Sequence, residues 1–123
     1  MKFALVITTK PTDPKTITSL NIAHSIVEQQ HELLGVFFYQ EGVLNASKYL
    51  CVPNDEFQTP LKWQEFSQKT GITLHLCSTA AEKHGLIEET ELEDFEHISP
   101  AFQISGLGQL VELTTSAERV IQL

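Results

Sequence analysis

Runs of consecutive apolar residues alternate along this chain with stretches in which apolar residues recur every three or four positions. Residues 2–8 and 32–39 are almost continuously apolar, which is typical of parallel strands that are buried on both faces. Shorter strands are predicted within residues 72–76, 102–108 and 119–123. The pattern therefore predicts about five strands.

Segments with helical spacing separate these strands. Asp13 and Pro14 predict the start of a long helix, as N-cap and first helical residue, and its end falls near Gln30. The apolar face of this helix is predicted to contain Ile17, Leu20, Ile22, Ala23, Ile26 and Val27. Further helices are predicted over residues 43–50, 59–70 and 109–116, the second of them stopped by Gly71 and carrying Trp63 and Phe66 as core residues.

Strands that alternate with helices indicate right-handed β-α-β units and a parallel sheet. We expect an α/β fold, a three-layer sandwich with a mainly parallel five-stranded sheet of flavodoxin type. The length of 123 residues suits one domain spanning residues 1–123.

Cys77 lies at the predicted junction between the third strand and a short helix. Thr79 and Glu82 have the spacing of a capping box, and Gly85 suits the position after the helix. Chemistry in open parallel sheets collects at the carboxyl ends of the strands. A reactive thiol at this edge is therefore one interpretation of Cys77.

The pattern alone leaves the role of Cys77 open. A helix N-terminus stabilises a thiolate, and Lys83 and His84 would add positive charge. Free cysteines are also among the most buried residues, so an inert core position is equally favoured. His75 points to the same side of the strand as Cys77 and could act as a local base, although a structural histidine is the more frequent case. Cys51 could be a resolving thiol, but burial is favoured.

Charge and composition narrow the partners. The formal net charge is −8, from 16 acidic and 8 basic residues, and no cluster of Lys and Arg is present. Direct binding of nucleic acid is therefore not expected, and a basic protein partner suits the surface better. The acidic run at residues 88–94 is expected to be a solvated face.

The chain has no feature that directs it to a membrane. The apolar run after Met1 is too short for a signal peptide, and no stretch has the length of a membrane span. The two cysteines form no CxxC motif. A cytoplasmic protein with free thiols is expected.

Three other site classes are disfavoured. The loop at residues 8–14 has no glycine and contains two prolines, so it suits no flavin or nucleotide phosphate. Cys77 and Lys83 have the spacing of a cysteine phosphatase loop, but lysine replaces the bidentate arginine poorly. The five histidines show no metal-site spacing, so neither a metal nor a cofactor is expected.

The chain resembles the DsrE/TusD sulfurtransferase family along nearly its whole length. The matching segments are residues 1–5, 36–46, 53–57, 77–85 and 104–112. The resemblance implies that Cys77 carries sulfur as a persulfide. We expect Ser78, Thr79, Lys83 and His84 to support the thiolate or persulfide, and such an exchange needs no cofactor. Members often carry two arginines at the positions of Lys83 and His84. This chain departs from the family pattern there, and the departure bears on which donor and acceptor it uses.

The resemblance also implies partners. Members of the TusD type form a heterohexamer with TusB-like and TusC-like subunits, take sulfur from a TusA-like carrier and pass it to a TusE-like acceptor for 2-thiouridine formation at the tRNA wobble position. The alternatives are a non-catalytic structural subunit of such a complex and a DsrE-type subunit in sulfur oxidation.

Overall fold

The computed structural model describes residues 1–86 and 97–123, so the acidic run predicted at residues 88–94 lies outside the described part. The strands are β1 (Lys2–Ile7), β2 (Glu32–Phe38), β3 (Leu74–Cys77), β4 (Phe102–Ser105) and β5 (Arg119–Gln122). The helices are α1 (Pro14–Glu28), α2 (Thr59–Thr70), α3 (Ser78–Lys83) and α4 (Leu107–Ser116), with a 3₁₀ segment at Gln40–Ala46. The predicted α/β fold is confirmed.

All neighbouring strands are parallel, in the order β4-β3-β2-β1-β5. The chain moves in one direction from β1 to β4 and then returns through α4 to place β5 beside β1. Phe38 packs edge-on against Trp63 of α2, with ring centroids 5.3 Å apart. Gly35 faces the other side, where its missing Cβ would lie 3.1 Å from Leu113 of α4. The two helices therefore cover opposite faces of the sheet.

Local signals fixed the start of α1 and the ends of α2 and α3 as predicted. The carboxylate of Asp13 accepts a hydrogen bond from the backbone N–H of Lys15 at 2.9 Å, and Pro14 is the first residue of α1. Gly71 ends α2 with φ of +75°, which glycine adopts without steric cost. Gly85 follows α3 with φ of +79°.

The buried face of α1 differs in part from the prediction. Val27 is exposed, whereas Thr16 and Ser19 are buried beside Leu20, Ala23 and Ile26. The hydroxyl of Thr16 donates to the carbonyl of Lys10 at 2.6 Å, and that of Ser19 to the carbonyl of Thr16 at 2.7 Å. Because local backbone acceptors satisfy both hydroxyls, these polar residues can be buried.

Three predicted helix starts were wrong. Helix α4 begins at Leu107, two residues before the predicted start, because the Gly106 carbonyl already accepts a hydrogen bond from the backbone N–H of Gln109 at 3.1 Å. The helix predicted at residues 43–50 is the 3₁₀ segment Gln40–Ala46, which begins earlier because the Tyr39 carbonyl accepts from Gly42 at 2.9 Å. The capping box at Thr79 does not form, since Cys77 is the N-cap residue of α3 and has no side-chain capping bond. Strand β3 runs into α3 without a loop, so Thr79 already lies within the helix.

The core between α1, α2 and the sheet is aromatic at its centre. Trp63 and Phe66 are buried, as predicted, and Phe38 contacts both Trp63 and Phe102 through edge-on ring pairs.

No helix within residues 1–86 and 97–123 has the length and apolarity needed to span a membrane.

Candidate active site

Cys77 is the last residue of β3 and the residue from which α3 begins. Its side chain is 1 % exposed. The strand alternation places Cys77 and His75 on the sheet face that α4 covers, opposite the face of Leu74 and Leu76. The thiol therefore lies at the carboxyl edge of the sheet, where the sequence predicted it.

A cavity of about 520 Å³ opens at this edge, and Cys77 forms part of its wall. Thr79, Lys83 and His84 line the same cavity, so four of the five predicted site residues are brought together. Ser78 is half-buried and does not line it. The volume falls in the range of about 300–1,000 Å³ that small-molecule sites occupy.

Further lining residues were not assigned a role from the sequence. Tyr39, Gln40 and Glu41, which follow β2, form one wall, and Leu107 at the start of α4 contributes to another. From the sequence, residues 36–46 are predicted to form part of a strand and of a helix and to share the family resemblance, but no site role is predicted for them. Their contribution depends on β2 and β3 being neighbours in the sheet, which no local signal reveals.

The turn after β2 is held tightly against β1. A Cβ atom on Gly42 would lie 2.0 Å from the backbone carbonyl oxygen of Ile7, so only glycine fits there. Gln40 has φ of 52°, in the left-handed region that residues with side chains rarely adopt. This packing fixes Glu41, an exposed residue, at the rim of the cavity.

The rim carries charges of both signs. Glu41, Lys83 and His84 are all exposed, and within the described residues Glu41 and Lys83 belong to no ion pair. Cys77 and Ala80, in contrast, are buried. The lining of the cavity thus combines exposed charged residues with the buried Cys77 and Ala80.

A buried polar pair lies next to Cys77. The Nδ1 atom of His75 is 2.9 Å from Oγ of Ser105, which pairs with Cys77 across β3 and β4. Burial lowers the pKa of His75, while the nearby carboxylate of Glu112 acts in the opposite direction. His75 also stacks on Phe37. These contacts favour the structural interpretation of His75, as a neutral, hydrogen-bonded ring.

Cys51 is not among the residues that line this cavity. Both cysteines are free, but Cys51 is exposed, so the predicted burial of this residue was wrong. It follows the irregular stretch after the 3₁₀ segment, which offers no helix or strand face to bury it. The described residues contain no group of three or more side chains suited to a metal ion.

The candidate site is a free cysteine at the carboxyl edge of a parallel sheet, in a cavity whose rim carries charges of both signs. The model of the DsrE/DsrF-like family matches residues 1–123, and the chain belongs to this family. The predicted resemblance is thereby confirmed.

Named relatives agree with this assignment. The chain is 35 % identical over 127 residues to Sulfurtransferase TusD of Salmonella dublin, covering 99 % of each chain. It has the same identity and coverage with Sulfurtransferase TusD of Salmonella typhi. The crystal structure of the YchN protein from E. coli has the same fold, with a TM-score of 0.82, 19 % identity and coverage of 100 % of this chain and 99 % of that one.

Proposed function

We propose that this chain is a sulfurtransferase that carries sulfur as a persulfide on Cys77. The observation that carries the proposal is the position of Cys77, in the wall of a cavity that Lys83 and His84 border. The relatives named as sulfurtransferases support the same activity.

The reaction is an exchange at sulfur that needs no net oxidation. The thiolate of Cys77 attacks the terminal sulfur of a donor persulfide, R–S–SH. A new S–S bond forms to Cys77, the S–S bond of the donor breaks, and the donor leaves as the thiolate R–S⁻. Attack by an acceptor thiolate on the terminal sulfur of Cys77–S–SH then repeats the exchange. Leaving-group acidity and access to the sulfur set the rates of such steps.

The residues around Cys77 would support the anionic forms of sulfur. The ammonium group of Lys83 supplies a positive charge at the cavity, and His84 adds one when it is protonated. Thr79 contributes a hydroxyl to the wall. Ser78 does not line the wall and would act only through its position as the first residue of α3, directly after Cys77.

The proposed partners follow from the TusD-type relatives. The donor would be a TusA-like carrier and the acceptor a TusE-like protein, with TusB-like and TusC-like subunits completing a cytoplasmic heterohexamer. The sulfur would end as 2-thiouridine at the tRNA wobble position. The net charge of −8 suits basic protein partners.

The second candidate is a non-catalytic structural subunit of the same kind of complex. The burial of Cys77, with 1 % of its surface exposed, favours this alternative. A DsrE-type role in sulfur oxidation would use the same thiol with a different flow of sulfur.

Intact-protein mass spectrometry tests the proposal. The wild-type chain, Cys77→Ser and the matched control Cys51→Ser are each incubated with a persulfide-loaded TusA-like carrier, alone and with the partner subunits. We expect the wild type and Cys51→Ser to gain one sulfur atom and Cys77→Ser to gain none. No gain in any of the three, with the partner subunits present, would leave the structural subunit as the correct function.

A further inference from the structure

We propose that Cys77 also takes sulfur directly from a low-molecular-weight persulfide whose carrier thiol bears both an ammonium and a carboxylate group, as cysteine does. The inference rests on the proposed sulfurtransferase function and names a second class of donor for the same site. It is carried by the burial of Cys77 in the wall of the cavity, by the volume of the cavity and by the two signs of charge at its rim.

Access to Cys77 favours a small donor. The thiol is 1 % exposed and forms part of the wall of the cavity of about 520 Å³. The surface of a folded donor cannot reach a side chain buried to this extent unless it extends a thin segment into the cavity. The volume of the cavity is sufficient for a persulfide on a single amino acid.

The rim charges match a zwitterion. The carboxylate of Glu41 comes from the turn after β2, and Lys83 and His84 come from the end of α3, so the opposite charges lie on different elements. Within the described residues Glu41 and Lys83 form no ion pair and are open to a ligand. The ammonium group of the donor would bind Glu41 and its carboxylate would bind Lys83, leaving the persulfide to point inward.

Glu41 would oppose a simpler anionic donor. A carboxylate at the rim of the cavity repels the anionic form of a persulfide that enters it. A site that binds only sulfur anions would therefore bind them more tightly without the Glu41 carboxylate. Its presence at the rim is explained by a donor that also carries a positive charge.

The transfer balances without an oxidant. The Cys77 thiolate attacks the terminal sulfur of cysteine hydropersulfide, the S–S bond of the donor breaks, and cysteine leaves as its thiolate, which then takes a proton from water. Cys77–S–SH is formed, and the number of sulfur atoms and electrons is unchanged. The charged groups of the donor remain on the departing cysteine, so they control binding and not the chemistry of the exchange.

The experiment compares two donors of the same chemistry and different charge. The full chain is treated with cysteine hydropersulfide or with the hydropersulfide of N-acetylcysteine methyl ester, which is uncharged at the same positions. The rate of sulfur gain on Cys77 is followed by peptide mass spectrometry, which distinguishes Cys77 from the exposed Cys51. Inorganic polysulfide and a persulfide-loaded carrier protein serve as further donors.

We expect the zwitterionic donor to load the wild type faster than the neutral one. Glu41→Gln and Lys83→Met should each lower this preference by about fivefold, the effect of one exposed charge pair at the upper end of its range. In Glu41→Gln the neutral donor should load Cys77 at the wild-type rate or faster, because the negative charge that repels the persulfide anion is absent. Glu32→Gln, at the other end of β2, and Lys69→Met, at the end of α2, are matched charge controls that should keep the wild-type preference.

The outcomes separate the two proposals. Equal loading by the zwitterionic and neutral donors, or an unchanged preference in both rim variants, would overturn the inference and leave the sulfurtransferase function standing. If Cys77 gains sulfur from the persulfide-loaded carrier protein and from none of the small donors, the inference is likewise overturned and the sulfurtransferase function stands. Loading of Cys77 by none of the donors would overturn the proposed function and the inference with it.

Discussion

The imidazole Nδ1 of His75 lies 2.9 Å from the hydroxyl oxygen of Ser105, within a buried layer between the sheet and α4. Ser105 is the cross-strand partner of Cys77, so this hydrogen bond joins β3 to β4 directly beside the candidate nucleophile. Oγ of Ser105 also lies 3.3 Å from the Gln103 carbonyl, to which it can donate. The pair therefore fixes the two strands that end at the cavity.

This pair makes stability depend on pH in a defined direction. Burial lowers the pKa of His75 below its ordinary value of 6.5, so on acidification the unfolded chain takes up a proton that the folded chain resists. The free energy of unfolding should fall as pH drops below 6.5, through the window between the two pKa values. His75→Gln should flatten this slope in urea unfolding measured from pH 7 downward.

The exposed His84 provides the control for this measurement. His84→Gln removes an imidazole without touching the buried layer. A slope that persists unchanged in His75→Gln, or that disappears equally in both variants, would contradict the role assigned to His75.

Gly42 should tolerate no side chain. A Cβ atom there would meet the Ile7 carbonyl oxygen at 2.0 Å, and the clash is with backbone that cannot move aside alone. Gly42→Ala should lower the free energy of unfolding by about 3 kcal/mol or more in chemical denaturation. Gly108→Ala, inside α4 with no atom within 4 Å of the new Cβ, should be neutral or stabilising by up to about 1 kcal/mol. Equal effects of the two substitutions would show that the turn does not pack on β1 in this way.

Asp13 should stabilise the folded chain only through its N-cap hydrogen bond at the start of α1. Its carboxylate accepts from the Lys15 N–H at 2.9 Å at the start of α1. Asp13→Ala should cost about 1 kcal/mol of stability, since that donor is left without its intramolecular acceptor. Asp55→Ala removes the same charge at an exposed turn and should change stability little. Comparable losses of stability in the two variants, measured by thermal unfolding, would show that the missing negative charge, and not the missing cap hydrogen bond, causes the effect.

The two thiols should differ in their response to reagent size. Cys51 is exposed and Cys77 is buried at the cavity wall. A bulky polymer-linked maleimide should label Cys51 readily and Cys77 slower by about tenfold or more, as expected when reaction requires local opening. With iodoacetamide, which is small enough for the cavity, the labelling rates of Cys51 and Cys77 should differ less. Equal labelling of both cysteines by the bulky reagent in the native state, read by peptide mass spectrometry, would refute the burial of Cys77.

The sequence by itself determined the order and type of most elements. Continuous apolar runs placed β1 and β2, the Asp13-Pro14 pair placed the start of α1, and Gly71 placed the end of α2. These signals are local, because a cap, a proline or a glycine acts on the backbone within one turn. The same locality placed Cys77 at the end of a strand.

Only the tertiary structure decided what surrounds that cysteine. The strand order brings Glu41 from the turn after β2 to the cavity of Cys77, and Ser105 opposite the thiol from β4. It also made Cys77, and not Thr79, the cap of α3, because β3 continues into the helix without a loop. Pairing between distant strands is fixed by burial of their shared faces, and no local pattern records which strands become neighbours.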